Sequence, residues 1–333
     1  MSKYLTRLVQ AVWKPAVIGL AASVGAASIA HANYLEHQAV KPFVAEMVEK
    51  HGFDQQELEA LFAQADKKQS ILDAIARPAE KRLEWKGYRK IFITEDRIKR
   101  GKAFMVKHAD TLARAEKEYG VPQSIIAAII GVETRYGQNR GSYRVIDALS
   151  TLAFDYPPRS KFFKSELEQM LLLSREQKFN PVELKGSYAG AMGYGQFIPS
   201  SYRNFAVDFD GDGVADILNN PVDAIGSVAN YFKKHKWMQG QPVTGLATVT
   251  GNDYEKALYK SLKLKYTLEE MAQWGIRSDD GFDPKAKGKL LQLEGKNGTE
   301  FWIGLHNFYV ITRYNHSHLY AMAVYQLSEA LKK

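Results

Sequence analysis

Ile125-Ile126-Ala127-Ala128-Ile129-Ile130-Gly131-Val132-Glu133-Thr134-Arg135-Tyr136-Gly137 reads as a helix with one carboxyl on its apolar side. Pro122 before it and Gly137 at its end bracket a helix of ordinary length, because proline suits a first turn and glycine a helix stop. Ile126, Ile129 and Ile130 lie seven, four and three positions before Glu133, separations that share one helix face. A carboxyl directed along such a face is costly unless it is neutral or paired. Its chemical use is as a general acid, since loss of solvent favours the protonated form. The structural alternative is an ion pair with Arg135 or Arg140 at the helix end.

Two further segments carry unusual chemistry. Ser187-Tyr188-Ala189-Gly190-Ala191-Met192-Gly193-Tyr194-Gly195-Gln196-Phe197-Ile198-Pro199-Ser200-Ser201-Tyr202 places three glycines within six residues, interleaved with tyrosine and glutamine. Glycine lets backbone approach a ligand closely, while tyrosine faces and amides suit a sugar ring with apolar faces and polar rims. No Lys-Ser/Thr follows the glycines, so the segment is not a phosphate loop. Asp208-Phe209-Asp210-Gly211-Asp212-Gly213-Val214-Ala215-Asp216 puts carboxylates at loop positions 1, 3, 5 and 9 and glycine at 6, the beginning of an EF-hand calcium loop. Position 12 is Asn219 rather than Glu, and Asp223, on a helix beginning near Pro221, is the natural replacement. His316 and His318 are two apart, which on a helix turns them to different faces, so no metal pair is expected there.

The remaining composition narrows the class. The chain has 333 residues, 45% hydrophobic, enough to bury a sizeable core. The absence of cysteine removes disulfides, thiol nucleophiles, Cys-ligated zinc and a lipid-anchored cysteine together. Lys3, Arg7 and Lys14 precede the apolar run Ala16 to Ala30, and Ala30-His31-Ala32 offers a cleavage pattern. Residues 1–32 are therefore expected to be a secretory signal peptide, with an uncleaved anchor helix as the alternative. Removing those three basic residues lowers the net charge from +8 to +5. That mild excess suits an anionic polymer, and neither motif nor export points to nucleic acid.

Residues 33–110 are expected to form a charged, helical accessory region, with Val44, Met47, Val48, Leu58, Leu61 and Phe62 at helical spacings. Residues 111–240 hold the unusual chemistry and are the expected catalytic core. In 241–306, turn residues and β-formers suggest a small strand-rich domain, with a hairpin at Lys296-Asn297-Gly298 and a short helix capped by Thr267. Residues 307–333 return to a helical period and are expected to pack back on the core.

Together, Glu133 to Gly137, Ala189 to Tyr202, Asp208 to Asp223 with the following Ala224-Ile225-Gly226-Ser227-Val228-Ala229-Asn230-Tyr231-Phe232, and Ile311-Thr312-Arg313-Tyr314-Asn315 resemble the B-type lytic murein transglycosylases. The resemblance implies a mainly α (α+β) fold: a lysozyme-like core, a helical accessory domain and a small β-rich domain. It implies cleavage of the β-1,4 bond between N-acetylmuramic acid and N-acetylglucosamine in peptidoglycan, leaving 1,6-anhydromuramic ends. Glu133 falls on the family's catalytic glutamate. Ser187, Gln196, Tyr314 and Asn315 match positions lining its sugar groove, as do Tyr88, Arg159 and Tyr231. Asp208, Asp210, Asp212, Asp223 and the Val214 carbonyl match ligands of a structural Ca2+, although the stretch from Gly213 to Pro221 is one residue longer than the family pattern. No organic cofactor is expected. The expected partners are glycan strands, with cell-wall synthesis proteins as candidates, and the chain is expected to be a periplasmic monomer that is not a lipoprotein. A hydrolytic muramidase and a non-catalytic peptidoglycan-binding protein are the alternatives.

Overall fold

The computed structural model describes residues 33–76 and 83–333. The expected signal peptide and its cleavage pattern lie outside the described residues. Helices α1 (Val40–His51), α2 (Gln55–Ala63), α3 (Gln69–Ala76), α4 (Trp85–Phe92), α5 (Glu95–Lys107) and α6 (Ala109–Tyr119) lead to α7 (Gln123–Thr134). After α7 come β1 (Tyr143–Arg144), α8 (Val145–Asp155), α9 (Ser160–Gln177), β2 (Lys185–Gly186), α10 (Pro199–Phe205) and α11 (Pro221–Lys234). A small module then holds β3 (Thr244–Leu246), β4 (Thr248–Val249), β5 (Tyr266–Thr267), α12 (Leu268–Gln273), β6 (Ile276–Arg277), β7 (Lys287–Gly295) and β8 (Gly298–Gly304). The described chain closes with α13 (His306–Tyr314) and α14 (His318–Lys332). The fold is mainly α, as its sequence suggests.

Helix α7 is the axis of the molecule, packed against α5, α6, α11 and α14. Every residue in it is buried except Gln123 and Glu133. A helix that is apolar all round belongs in an interior, and each fully buried isoleucine contributes roughly 1.5–3 kcal/mol. Glu133 is therefore the one acid on a helix otherwise committed to packing.

The strand module is built on a β7–β8 hairpin that closes at Gly295 and Gly298, with strand order β3-β8-β7-β5. Thr267 caps α12 reciprocally with Glu270. Side chains alternate across a strand, and β7 uses both faces: Leu291 and Leu293 join the large helical core, while Leu290 joins a separate cluster with Met271, Ile276 and Ile303. Through β7, then, the module rests on the helical core, against α4.

One local expectation is corrected. The helix around Glu133 stops at Thr134, three residues before Gly137, because Arg135 and Tyr136 adopt left-handed backbone at φ 51° and 61°. The Tyr136 N–H bonds back to the Ile130 carbonyl, and its ring occupies a slot in which a Cβ at Gly131 would lie 2.5 Å from the hydroxyl. Left-handed backbone at a bulky residue costs energy and persists only where surrounding packing enforces it.

Candidate active site

Glu133 is half-buried at the last turn of α7. Tyr320, from α14, donates its hydroxyl to Glu133 Oε1 at 2.6 Å. Burial first, and then the neighbouring Glu133 charge, raises the Tyr320 phenol well above its usual range, so it remains a donor. Its ring lies parallel to that of Tyr314, 6.4 Å away at 9°. Tyr314, the last residue of α13, donates to the Gly195 carbonyl at 2.6 Å. A Cβ at Gly195 would sit 2.8 Å from that hydroxyl, so glycine is needed for the approach.

The glycine-tyrosine segment is tied to the helix end from a second side. Thr134 Oγ1 donates to the Tyr194 carbonyl at 2.9 Å and accepts the Gly137 N–H at 2.9 Å. Met192 and Phe197 exchange backbone hydrogen bonds across the turn. Gln196 stands at φ 50°, and its Nε2 donates to the carbonyls of Gly193 and Arg140 at 3.0 and 3.2 Å. Ser187 Oγ accepts the Ala191 and Ala189 N–H groups at 3.1 and 3.3 Å, pinning the turn before the glycines. Three chain segments, remote in sequence, thus converge on Glu133.

The other expected groove residues fall in different places. Tyr231 donates to the Arg313 carbonyl at 2.6 Å and its ring lies 4.7 Å from that of Tyr314, which makes it a support for Tyr314. Asn315 follows Tyr314 directly and is half-buried. Tyr88 is buried at 1% exposure, packed against Phe92 and within electrostatic reach of Tyr320. Arg159 is exposed before α9 and lies over the rings of Phe162 and Phe163 at 4.3 and 5.1 Å. Of the two cations at the helix end, Arg135 is exposed, and Arg140 donates to the Leu218 carbonyl while lying 5.2 Å over Tyr194.

Sequence reasoning assigned no role to Tyr320. It stands in the regular apolar spacing of α14, where a tyrosine looks like packing, and only the fold brings its hydroxyl to Glu133.

In the acidic loop, the carboxylates of Asp208, Asp210 and Asp212 bring oxygens within 4.8 Å of one another. Asp208 accepts the Gly213 and Gly211 N–H groups, each at 2.7 Å, and these bonds, Gly213 first, hold its carboxyl below the usual range. Asp223 is fully buried beneath the loop and clasps both limbs, accepting the Phe209 N–H at 2.7 Å and the Asp216 N–H at 2.8 Å. Burial pushes its carboxyl up in spite of those bonds. Before α11, Asp216 Oδ1 accepts the Leu218 and Asn219 N–H groups. Asn220, which the sequence did not single out, caps α11 through Val222 and donates to Asp210 Oδ2 at 2.7 Å. The exposed Val214 bonds through its N–H to Asp212 Oδ1 at 2.9 Å. An all-oxygen set with carboxylates this close fits a hard divalent cation, because their mutual repulsion is relieved by a charge among them.

Residues 35–329 match the Transglycosylase SLT domain family. The chain is 44% identical to the membrane-bound lytic murein transglycosylase B of Escherichia coli (strain K12) over 308 residues, 90% of this chain and 84% of that protein. It is similar to the catenated lytic transglycosylase SltB1 of Pseudomonas aeruginosa, with 53% identity, a TM-score of 0.87, and 90% and 99% of the two chains covered. It is also similar to the Escherichia coli lytic transglycosylase Slt35 in complex with calcium, with 45% identity, a TM-score of 0.83, and 89% and 93% covered. Among the described residues no helix is long and apolar enough to cross a membrane. The chain, with its lysozyme-like, helix-rich fold, belongs to the lytic murein transglycosylases and is a peptidoglycan-cleaving enzyme of that family.

Proposed function

We propose that Glu133 is the single acid/base with which this enzyme cleaves the bond between N-acetylmuramic acid and N-acetylglucosamine without water. The observation that carries the assignment is the Tyr320 hydroxyl held 2.6 Å from Glu133 Oε1, at the meeting point of α7, α14 and the glycine-tyrosine segment. Most glycosidases use two carboxylates, one of them as nucleophile or base. Here the substrate supplies the second group. Protonated Glu133 gives its proton to the glycosidic oxygen as the bond to C1 breaks, and the muramic N-acetyl carbonyl oxygen takes up the electron-poor C1. The sugar's own C6 hydroxyl then attacks C1, the acetamido group is released, and the C6 proton returns to Glu133, closing the 1,6-anhydro ring. An intramolecular nucleophile needs no bimolecular encounter, a large entropic advantage.

Tyr320 fixes the carboxyl's direction, and Tyr314 forms a shared wall with it. Ser187, Gln196 through its Oε1, and Asn315 are the polar groups assigned to sugar hydroxyls. Tyr231 and Tyr88 act as backing for the tyrosine wall, and Arg159 reaches the strand further along. The core at 111–240 carries the acid, flanked by 33–110 and 241–306, while 307–333 supplies Tyr314, Asn315 and Tyr320.

Asp208, Asp210, Asp212 and the Val214 carbonyl would hold Ca2+ in an EF-hand-like loop, with Asp223 at its base. The ion's contribution is charge neutralisation that braces the loop against α11. The basic leader and its cleavage pattern support export to the periplasm, where glycan strands are the partner and the chain acts as a monomer. Weighing the fragments from digested peptidoglycan tests the reaction: anhydro ends lack the water that hydrolysis adds, and hydrated ends would refute it.

A further inference from the structure

We propose that Glu166 is a positioning residue for the cleavage reaction: its buried carboxylate fixes the exit of the glycine-tyrosine segment and, through that segment, the Gly195 carbonyl that holds Tyr314. The inference rests on the reading of Glu133 above and extends it to a residue of α9 that lines no part of the groove. Glu166 is 4% exposed. Its Oε1 accepts the Ser200 hydroxyl at 2.7 Å, and its Oε2 accepts the Ser200 N–H at 3.0 Å. Burial raises its carboxyl, opposed by those two Ser200 bonds and by no neighbouring cation. A carboxylate buried without a cation is costly, and here the bonds to one serine are what offset it.

Ser200 follows Pro199 in the first turn of α10, where backbone N–H groups have no partner within the helix. Ile198, the residue before α10, contributes no side-chain cap, so Glu166 supplies the acceptor from another helix. Proline fixes φ, and the clamp at Ser200 is therefore passed back with little slack through Pro199 and Ile198 to Phe197. From Phe197 to Met192 the chain closes on itself, through the paired bonds of those two residues and the Gln196 N–H on the Gly193 carbonyl. A turn closed in this way takes its pose from its attachments. Thr134 and Tyr314 hold the Tyr194 and Gly195 carbonyls on one side. On the other, the Phe197 ring lies 5.9 Å from the rings of both Tyr231 and Tyr314, and Glu166 clamps the exit. Gln196, between them, has left-handed backbone, which a residue with a side chain keeps only where its surroundings enforce it. Loosening the exit shifts the Gly195 carbonyl, and with it Tyr314 and the parallel ring of Tyr320 that orients Glu133.

The test is a double-mutant cycle on kcat, measured with purified peptidoglycan well below the melting temperature of every variant. Glu166→Gln keeps the side chain's size but removes the charge from both bonds, and kcat should fall about tenfold, the scale of one charge-assisted hydrogen bond. In a Tyr314→Phe background the link to Gly195 is already cut, so there Glu166→Gln should cost less than about twofold more. A purely structural role would lower the melting temperature and leave kcat per folded molecule unchanged. Ser200→Ala removes one of the two bonds and is read in the same cycle if Glu166→Gln does not fold. Equal losses in the two backgrounds, or no loss of kcat in either, would overturn the positioning role. The underlying reading fails separately, if Glu133→Gln turns over at near wild-type rates.

Discussion

Replacing Gly131 by alanine should destabilise this enzyme, against the ordinary rule for helices. In a helix interior alanine is more favourable than glycine by roughly 0.5–1 kcal/mol, because glycine loses more backbone freedom on folding. Here the added methyl would meet the Tyr136 side chain at 2.5, 2.6 and 2.8 Å. That ring cannot withdraw easily: Phe104 lies 5.4 Å from it, and the Tyr136 backbone is already held at φ 61°. Three contacts this short belong to the upper part of the overpacking range, about 3 kcal/mol, which leaves a net loss of about 2 kcal/mol. At roughly 2–4 °C per kcal/mol the melting temperature should fall by about 4–8 °C. Turnover should fall as well, since Glu133 is two residues away. Thermal unfolding followed by circular dichroism reads the first effect and peptidoglycan clearance the second. In a Tyr136→Leu background the same alanine should become neutral or stabilising, a coupling expected only of groups in contact. A higher melting temperature for the single Gly131→Ala variant would refute the account of why the helix ends where it does.

The remaining predictions concern the tyrosine, the loop and the buried lysine. Tyr320→Phe keeps the ring against Tyr314 but removes the donor to Glu133, so kcat should fall roughly 10- to 100-fold with the fold intact; unchanged turnover would dismiss the positioning role. Calcium at a hundredfold excess over its Kd should add about 2.7 kcal/mol and raise the melting temperature by about 5–10 °C. Chelator should reverse that gain and Asp210→Asn should weaken it, whereas indifference to both would remove the ion site. Lys289 titrates near 8 in the folded chain, below its unfolded value of 10.5, so the unfolded state holds more protons between those limits and the stability contribution of Lys289 rises as pH rises through them. Lys289→Met should therefore melt above wild type at pH 7, with the gap shrinking from pH 8 to 10.5; a gap that does not change with pH contradicts a buried, unpaired ammonium.

The fold and the site were legible in the sequence to different degrees. The periodic isoleucines before Glu133 announced a buried helix because a 3.6-residue repeat survives any tertiary context. The hairpin at Lys296-Asn297 and the cap at Thr267 were readable because both are local chemistry. The left-handed turn at Arg135 and Tyr136 was not, since it depends on a slot made by Gly131 and by Gly101, 35 residues upstream of Tyr136. Tyr320 and Lys289 were invisible for a related reason. Each sits in an ordinary helix or strand pattern, and its setting arises from a neighbour contributed by another segment: Glu133 for Tyr320, the carbonyl and ring of Tyr259 for the buried Lys289 of β7. Patterns report elements, whereas sites are made where elements meet.

The central claim is that one carboxyl both gives and retrieves the proton. Glu133→Gln preserves the side chain's shape and can still accept the Tyr320 hydroxyl through its amide oxygen, yet it can neither donate nor retrieve that proton. Single-turnover digestion of purified peptidoglycan, with products weighed, should show glycan binding retained and anhydro ends reduced at least a thousandfold, on the order of the loss of an essential proton-transfer group. Anhydro products forming at near wild-type rates would contradict the assignment.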